Sequence, residues 1–212
     1  MSEHFATGTH GRLLELKQGG FNPLRILDIG ANMGQFCTLT RRVWPEAHVT
    51  SIEAVDDCAP WLHLTADEYH IALLSDSERD VDFWVSEHNP ASQGNSYYRE
   101  TLESFPHNVR RSMRTTTLDT LLAGKEPFDF VKLDTQGSER DIIRGGRATI
   151  APARFVLCEM QCGVASNEGA PSRVEVEQEL ASLGFGDGIM LEWWTLTEGD
   201  RRINEDWIYR RL

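Results

Sequence analysis

Two carboxylates and two glycines near the start of the chain have the types and spacing needed to bind a small molecule. Asp28, Gly30 and Gly34 follow a short apolar run, and Glu53 ends the next apolar run. Glycines in a tight turn allow a ligand to approach the backbone closely. An acid that ends the second strand of a βαβ unit can accept hydrogen bonds from ribose hydroxyls. The pattern therefore predicts a cofactor that contains a nucleoside.

The spacing of the turn separates two classes of cofactor. A dinucleotide-binding turn reads Gly-x-Gly-x-x-Gly and holds a pyrophosphate at a helix N-terminus, but Asn32 stands where that pattern requires a glycine. S-adenosylmethionine (SAM) has an adenosine and an amino acid without a pyrophosphate, and it fits better. We expect SAM to contact Asp28, Gly30, Asn32 and Gly34, with its ribose on Glu53. An NAD-linked or nucleotide-sugar-linked oxidoreductase is the alternative.

A second pair of carboxylates follows two later apolar runs. Asp134 falls at the carboxyl end of one buried-type strand and Glu159 near the end of the next, and ligands of open α/β sheets bind at that edge. Asp134 is the expected catalytic residue, as a base or as a group that orients the acceptor. Both oxygen ligands would also suit Mg²⁺ or another divalent cation. Lys132 needs a partner if it is buried, and Glu139 is the structural candidate.

A polar segment at residues 87–114 interrupts the rhythm of apolar runs. Long irregular insertions in compact domains are usually functional or mobile. We expect this one to form a wall or lid over the acceptor, with a surface loop as the alternative. Aromatic rings can stack on a ring or a sugar face. The expected acceptor contacts are Asn95, Tyr97 and Tyr98, and the alternative bases in the segment are His88 and His107.

Strand-like and helix-like segments alternate along most of the chain, which predicts an α/β fold with a mainly parallel sheet. Two strand-like segments close together, at residues 189–196 and 207–209, predict an antiparallel C-terminal edge. Thr117 is a plausible helix cap. Residues 1–212 show no repeat and no linker, so we expect a single domain with residues 87–114 as its insertion.

Composition excludes several classes of protein. The net charge of −12 over 212 residues argues against a nucleic-acid-binding surface. No apolar run approaches the ~20 residues that cross a bilayer, and residues 1–20 lack the pattern of a signal peptide. We therefore expect a cytoplasmic protein without a membrane span. The cysteines, at 37, 58, 158 and 162, show neither zinc-site spacing nor a disulfide framework, and Cys37 and Cys158 are expected in the core.

Together these segments resemble the FkbM-type methyltransferase family. The first motif is Asp28-Ile-Gly30-Ala-Asn32-Met-Gly34. The second is Leu118-Asp119-Thr120-Leu121, then Lys132-Leu133-Asp134-Thr135-Gln136-Gly137-Ser138-Glu139, then Ile143-Arg144-Gly145. Residues 70–75 resemble the third-strand segment of the family, where we expect Ala72 to contact the cofactor. The resemblance covers residues 24–159.

The resemblance implies a Rossmann-like class I methyltransferase fold, with a seven-stranded sheet and helices on both faces. It implies SAM as cofactor and, as the usual reaction, O-methylation of a hydroxyl on a small metabolite, sugar or glycolipid. Asp134 and Glu159 resemble the divalent-metal ligands of catechol-type methyltransferases. Residues 93–98 depart from the Ser-rich stretch of the family, which leaves the acceptor open. A SAM-binding module without catalysis is a further alternative.

Overall fold

A central sheet of seven strands carries the fold in the computed structural model, which describes residues 8–86, 89, 92–100, 109–162, 167–196 and 201–212. The strands of the chain are β1 (Arg25–Ile29), β2 (His48–Glu53), β3 (Glu68–Ile71), β4 (Leu73–Leu74), β5 (Asp80–Val85), β6 (Val109–Thr116), β7 (Phe130–Leu133), β8 (Phe155–Gln161), β9 (Ile189–Leu196) and β10 (Arg201–Arg210). The central sheet has the order β3-β2-β1-β7-β8-β10-β9. Its first five strands are parallel, and β10 runs antiparallel to both of its neighbours. The prediction of a mainly parallel sheet with an antiparallel C-terminal edge is confirmed.

Helices cover both faces of this sheet, as predicted. They are α1 (Gly8–Gln18), α2 (Gln35–Val43), α3 (Ala59–Thr65), α4 (Leu118–Leu121), α5 (Glu139–Gly145), α6 (Arg147–Ile150) and α7 (Arg173–Ser182), with a 3-10 turn at Asp56–Cys58. Alternation along β1 divides the core: Ile26 packs with α1 and α2, and Leu27 packs with α4 to α7. Thr117 caps α4 as expected, since its side chain accepts a hydrogen bond from the backbone N–H of Thr120. Helix α1 was not predicted.

A second, three-stranded sheet of order β4-β6-β5 lies beside the first. Strand β6 pairs antiparallel with β5 from Asp80 opposite Arg114 to Val85 opposite Val109. The prediction of irregular structure was therefore wrong for residues 109–114. Arginines and polar residues alternate with half-buried ones there, and the charge concealed the period of two that marks a half-buried strand. Phe83 and Val85 pack against Ala31 and Leu62 near the glycine turn.

The cysteines fit the predicted core. Cys37, Cys58 and Cys158 are free and buried, and Cys162 is free and half-buried. Within the described ranges, the helices are all too short or too polar to cross a membrane.

Candidate active site

A cavity of about 840 Å³ opens at the carboxyl ends of the central parallel strands. Gly30 lies just after β1, Glu53 ends β2, Asp134 follows β7, and Glu159 lies near the end of β8; all four line the cavity. From β1 the chain builds the sheet outward in one direction through β2 and β3, and then returns to add β7 and β8 on the other side of β1. Open α/β sheets bind ligands at such a switch point. The volume is near the upper end of the usual range for small-molecule sites, so there is room for more than one ligand.

The glycine turn between β1 and α2 forms one wall of this cavity. Gly30 and Gly34 have φ angles of 76° and 81°, and Asn32 has a φ of 48°. Asparagine is among the few residues that enter this left-handed region readily. Gly30 and Asn32 line the cavity, whereas Gly34 and Asp28 do not. A Cβ atom at Gly34 would lie 2.1 Å from Oγ1 of Thr65, so this glycine permits the contact between the turn and α3.

Glu53 is bound to the glycine turn through its carboxylate. Its Oε2 accepts a hydrogen bond from the backbone N–H of Asn32 at 2.8 Å, and its Oε1 accepts from Ala54 at 2.8 Å and Val55 at 3.0 Å. Burial raises the pKa of the carboxyl, against the effect of these donors. Oε2 accepts only one of these bonds and has a second lone-pair direction. Glu53 can therefore hold the turn in place and still accept a ligand hydroxyl. Ala72 lines the same end of the cavity, and its N–H donates to the carbonyl of Glu53.

Asp28 lies behind the cavity, with no exposed surface. Its carboxylate oxygens make no hydrogen bond to a described residue, and the ammonium of Lys132 lies 3.7 Å from Oδ1. Burial raises the pKa of Asp28 to about 6, against the opposing charge of Lys132. Asp28 therefore fixes Lys132 from beneath, and its expected direct contact with a cofactor stays a prediction that its position behind the wall does not favour.

Lys132 links this buried acid to the cavity. Its Nζ lies 2.9 Å from Oδ2 of Asp134, and it pairs with Asp28 and Asp134 rather than with Glu139. Glu139 instead accepts hydrogen bonds from the backbone N–H groups of Thr135 and Gly137. The expected ion pair between Lys132 and Glu139 was therefore wrong, because the strand places the lysine toward the acids at its own end of the sheet.

Asp134 and Glu159 converge in the cavity as predicted, joined by Gln136. The amide Nε2 of Gln136 donates to Oδ1 of Asp134 at 3.1 Å and to Oε2 of Glu159 at 2.6 Å. Burial opposes ionisation of both acids, but the charge of Lys132 holds the pKa of Asp134 below its usual value. Burial and the charge of Asp134 raise the pKa of Glu159 well above its usual value. Of the two acids, Glu159 thus binds a proton more readily, and Asp134 is the one that favours the ionised form.

These two acids do not form a favourable divalent-metal site. Three of their four oxygens already accept from the ammonium of Lys132 or the amide of Gln136, and these positively polarised groups compete with a cation. Over the described part of the chain, no group of three or more His, Cys, Asp or Glu residues could hold a metal ion. The expectation of Mg²⁺ on Asp134 and Glu159 is not supported by this donor set.

Both tyrosines of the insertion are bound to helix α5. The hydroxyl groups of Tyr97 and Tyr98 donate to Oδ2 of Asp141 at 3.0 and 2.8 Å. Asn95 and Tyr97 line the cavity, and Tyr98 does not. The tyrosines hold the insertion against α5, and the expected stacking of Tyr98 on an acceptor stays a prediction that its position outside the cavity lining does not favour. His88 and His107 lie outside the described residues.

The opposite wall contains residues that the sequence did not single out. Trp194 and Thr195 of β9 and Ile203, Asn204 and Asp206 of β10 line the cavity. Burial raises the pKa of Asp206 to about 7, and its Oδ2 accepts a hydrogen bond from Oγ1 of Thr9 in α1 at 3.1 Å. The alternation of Asn204 and Asp206 along the last strand was the available signal. It was missed because the strand was expected only from residue 207.

The sheet order, the glycine turn after β1 and the acid at the end of β2 define the Rossmann-like fold of class I SAM-dependent methyltransferases. The family model described as the methyltransferase FkbM domain matches residues 28–186, more than half of the chain. The chain belongs to this family, as its two motifs indicated. The oxidoreductase alternative is therefore not favoured.

Solved structures support the fold at low sequence identity. The precorrin-6y C5,15-methyltransferase of Geobacter metallireducens has a TM-score of 0.51 and 10% identity, over 100% of this chain and 94% of that chain. An O-methyltransferase family protein of Burkholderia thailandensis has a TM-score of 0.53 and 11% identity, over 95% of this chain and 55% of that chain. The N-terminal domain of EvdMO1, solved with S-adenosylhomocysteine (SAH), has a TM-score of 0.51 and 14% identity, over 99% of this chain and 84% of that chain. The curated proteins include no match.

Proposed function

We propose that the chain binds SAM in the cavity and transfers its methyl group to a hydroxyl oxygen of a small acceptor. The observation that carries this proposal is the position of Asp134, which lines the cavity at a central strand end with the ammonium of Lys132 at 2.9 Å. A hydroxyl acceptor needs a group that takes its proton as it is methylated. An unprotonated amine can instead be methylated first and lose its proton afterwards. The solved structure of EvdMO1 with SAH supports the cofactor.

The cofactor would occupy the half of the cavity formed by β1, β2 and β3. Glu53 would accept hydrogen bonds from the ribose, Ala72 would lie beside the adenine, and the turn at Gly30 and Asn32 would hold the amino-acid part. Glu53 supports this placement, because its carboxylate lines the cavity while both its oxygens are fixed by backbone N–H groups. A preorganised acceptor loses little entropy when it binds.

The acceptor would occupy the half formed by β7, β8, β10 and β9. Its hydroxyl would donate a hydrogen bond to Asp134 and face the methyl carbon in line with the sulfonium. The oxygen–carbon bond then forms as the sulfur–carbon bond breaks, the bonding pair leaves with sulfur to give SAH, and the hydroxyl proton passes to Asp134. Close alignment of the two reactants can supply several kcal/mol of the barrier reduction, and a positioned base contributes roughly 10²- to 10⁴-fold.

Incubation with SAM labelled with ¹³C at the methyl carbon tests this function. Extracts of small metabolites supply acceptors, and mass spectrometry identifies the labelled product. The chemical shift of the labelled carbon then separates an O-methyl from an N-methyl group. An N-methyl or C-methyl product would contradict the proposed acceptor while leaving SAM dependence intact.

Treatment with EDTA tests whether a metal takes part. Because Lys132 and Gln136 already contact the paired acids, we expect EDTA to leave the rate within twofold. Loss of activity that Mg²⁺ restores would make the acids metal ligands.

A further inference from the structure

A tryptophan and an asparagine face the cavity together from the antiparallel strands β9 and β10. Trp194 and Asn204 lie opposite each other in the strand register, so their side chains leave the sheet on the same face. Trp194 is 52% exposed, although it lines the cavity. Its indole makes no hydrogen bond, ion pair or ring contact with the residues that the structure describes. This aromatic surface is therefore available to a ligand.

Asn204 presents an unused hydrogen-bond acceptor at the same place. The residue is 8% exposed, and its amide oxygen is buried without a hydrogen-bond partner among the described residues. Buried polar atoms in native proteins nearly always have a partner, and each exception requires an explanation. Because Asn204 lines the cavity, a rotation of its amide would let a ligand hydroxyl there supply the missing donor.

Charge restricts which ligands can use this pair. The ionisable carboxyl and amino groups described in the cavity lining are those of Lys132 and five acids, Glu53, Glu100, Asp134, Glu159 and Asp206. Lys132 is already bound by Asp28 and Asp134. Asp206 lies opposite Glu159 in the strand register and two residues from Asn204. A carboxylate or phosphate on a ligand beside Asp134 would therefore meet a like charge, while Lys132 is already engaged by two acids.

We propose that Trp194 and Asn204 form an acceptor subsite that selects an uncharged ring with a hydroxyl beside its reacting hydroxyl. The apolar face of the ring stacks on the indole, and the neighbouring hydroxyl donates to the amide oxygen of Asn204. This orients the reacting hydroxyl toward Asp134. Rings that carry a carboxylate or a phosphate are excluded. The inference rests on the proposed function, which supplies SAM and the role of Asp134.

Ligand-observed saturation-transfer NMR on the full chain loaded with SAH tests this subsite. The uncharged probes are methyl β-glucopyranoside, myo-inositol and catechol, and the anionic probes are glucuronate and glucose 6-phosphate. We expect an uncharged ring to bind at least tenfold more tightly than the anions. Trp194→Ala should weaken that binding at least fivefold, and Asn204→Leu should weaken it similarly.

Trp193→Ala is the matched control, because Trp193 neighbours Trp194, points to the other face of the sheet and does not line the cavity. It should change the binding of the ring less than twofold. Calorimetry of SAH binding verifies that each variant is folded. Equal binding of the anions, equal losses in the two tryptophan variants, or no binding of any uncharged ring to a chain that binds SAH would overturn the subsite alone. A chain that binds neither SAM nor SAH would instead contradict the proposed function, and the subsite with it.

Discussion

Gly30 lies directly against the backbone of Asp134. A Cβ atom at residue 30 would be 1.8 Å from the carbonyl oxygen of Asp134. The turn after β1 and the end of β7 therefore touch through a position that only glycine can occupy. The sequence suggested that Gly30 makes room for a ligand, and the structure shows that it first makes room for the strand end that carries the proposed catalytic acid. The two halves of the site are thus fixed to each other at one residue.

Substitution of Gly30 should destabilise the whole site. Gly30→Ala must move the backbone of Asp134 and must also hold a positive φ, which costs an alanine roughly 1–2 kcal/mol. Gly124→Ala is the control, because Gly124 has a φ of 79° and a Cβ atom there would have no neighbour within 4 Å. We expect urea unfolding to show a loss of about 1 kcal/mol for the control and at least twice that for Gly30→Ala. Equal losses would mean that the contact with Asp134 is easily relieved.

The buried acid behind the cavity should make the protein less stable as the pH rises. The pKa of Asp28 is raised from 3.8 to about 6, so between these values the folded chain holds a proton that the unfolded chain has lost. Stability then falls with rising pH through this window, by about 3 kcal/mol if Asp28 acts alone. Lys132 opposes the shift, and Asp134 and Glu53 add to it. Asp28→Asn should reduce this slope in urea unfolding from pH 4 to 8, and the remaining slope is the part that Glu159 and Asp206, whose pKa values are also raised, contribute.

Exposed Asp80 supplies the control for that measurement, since Asp80→Asn makes the same change of charge on the surface. The free energy of unfolding of Asp80→Asn should change with pH as steeply as that of the unmodified chain. A slope that persists unchanged in Asp28→Asn would show that another group carries the pH dependence, and Asp206 would be the next candidate, because its pKa is raised to about 7.

The sequence predicted the half of the site that depends on local pattern. A glycine turn between an apolar strand and an amphipathic helix identifies itself within one βαβ unit, so Gly30, Asn32 and Glu53 were found together. Asp134, which also lines the cavity, was identified because it ends a buried-type apolar strand. The contact of Tyr98 with α5 was not predicted, because nothing nearby in the sequence shows that Asp141, on a helix 43 residues later, accepts its hydroxyl. The direction of a loop side chain depends on such distant partners.

The opposite wall escaped prediction because it forms only through pairing of strands. Trp194 and Asn204 become neighbours when β9 pairs with β10, and irregular register near residues 202–204 prevents simple counting across the hairpin. Strand β6 was missed because arginines on its outer face disguise the alternation. The pairing register of distant strands and the strands with charged outer faces are thus the features that local sequence patterns do not predict.

Glu53 should bind the ribose of the cofactor in addition to holding the turn. Glu53→Ala removes a charge-assisted acceptor worth ~1.5–3 kcal/mol, so calorimetry should show SAH affinity at least tenfold lower. Exposed Glu46→Ala makes the same charge change and should leave the affinity unaltered. The 2′,3′-dideoxy analogue of SAH separates the two roles of Glu53. The unmodified chain should prefer SAH over the analogue, and Glu53→Ala should lose this preference; a preference that survives would place the ribose elsewhere.

The tyrosine contacts with Asp141 should hold the insertion in place. Tyr98→Phe removes the 2.8 Å hydrogen bond and leaves that of Tyr97. We expect hydrogen exchange to show lower amide protection in residues 92–100, with SAH affinity within twofold because Tyr98 does not line the cavity. Asp141→Asn, which weakens both contacts, should lower the protection further. Tyr69→Phe serves as the control, because it makes the same change at a tyrosine outside the insertion and should leave the protection of residues 92–100 unchanged. Unchanged protection in both variants would show that other contacts order this segment.

Asp134 should matter for methyl transfer far more than for cofactor binding. Asp134→Asn removes the carboxylate that accepts the acceptor proton, so kcat should fall about 10²- to 10⁴-fold, while SAM affinity stays within threefold. Because Lys132 lowers the pKa of Asp134, the rate of the unmodified enzyme should decline only in acid, as this carboxylate becomes protonated, and the variant should lose that acidic limb. Glu159→Gln is the matched control: its amide resembles the protonated carboxyl that the raised pKa of Glu159 favours, so it should keep at least a tenth of the activity. Full activity in Asp134→Asn, measured with the acceptor that the labelling experiment identifies, would remove this residue from the mechanism.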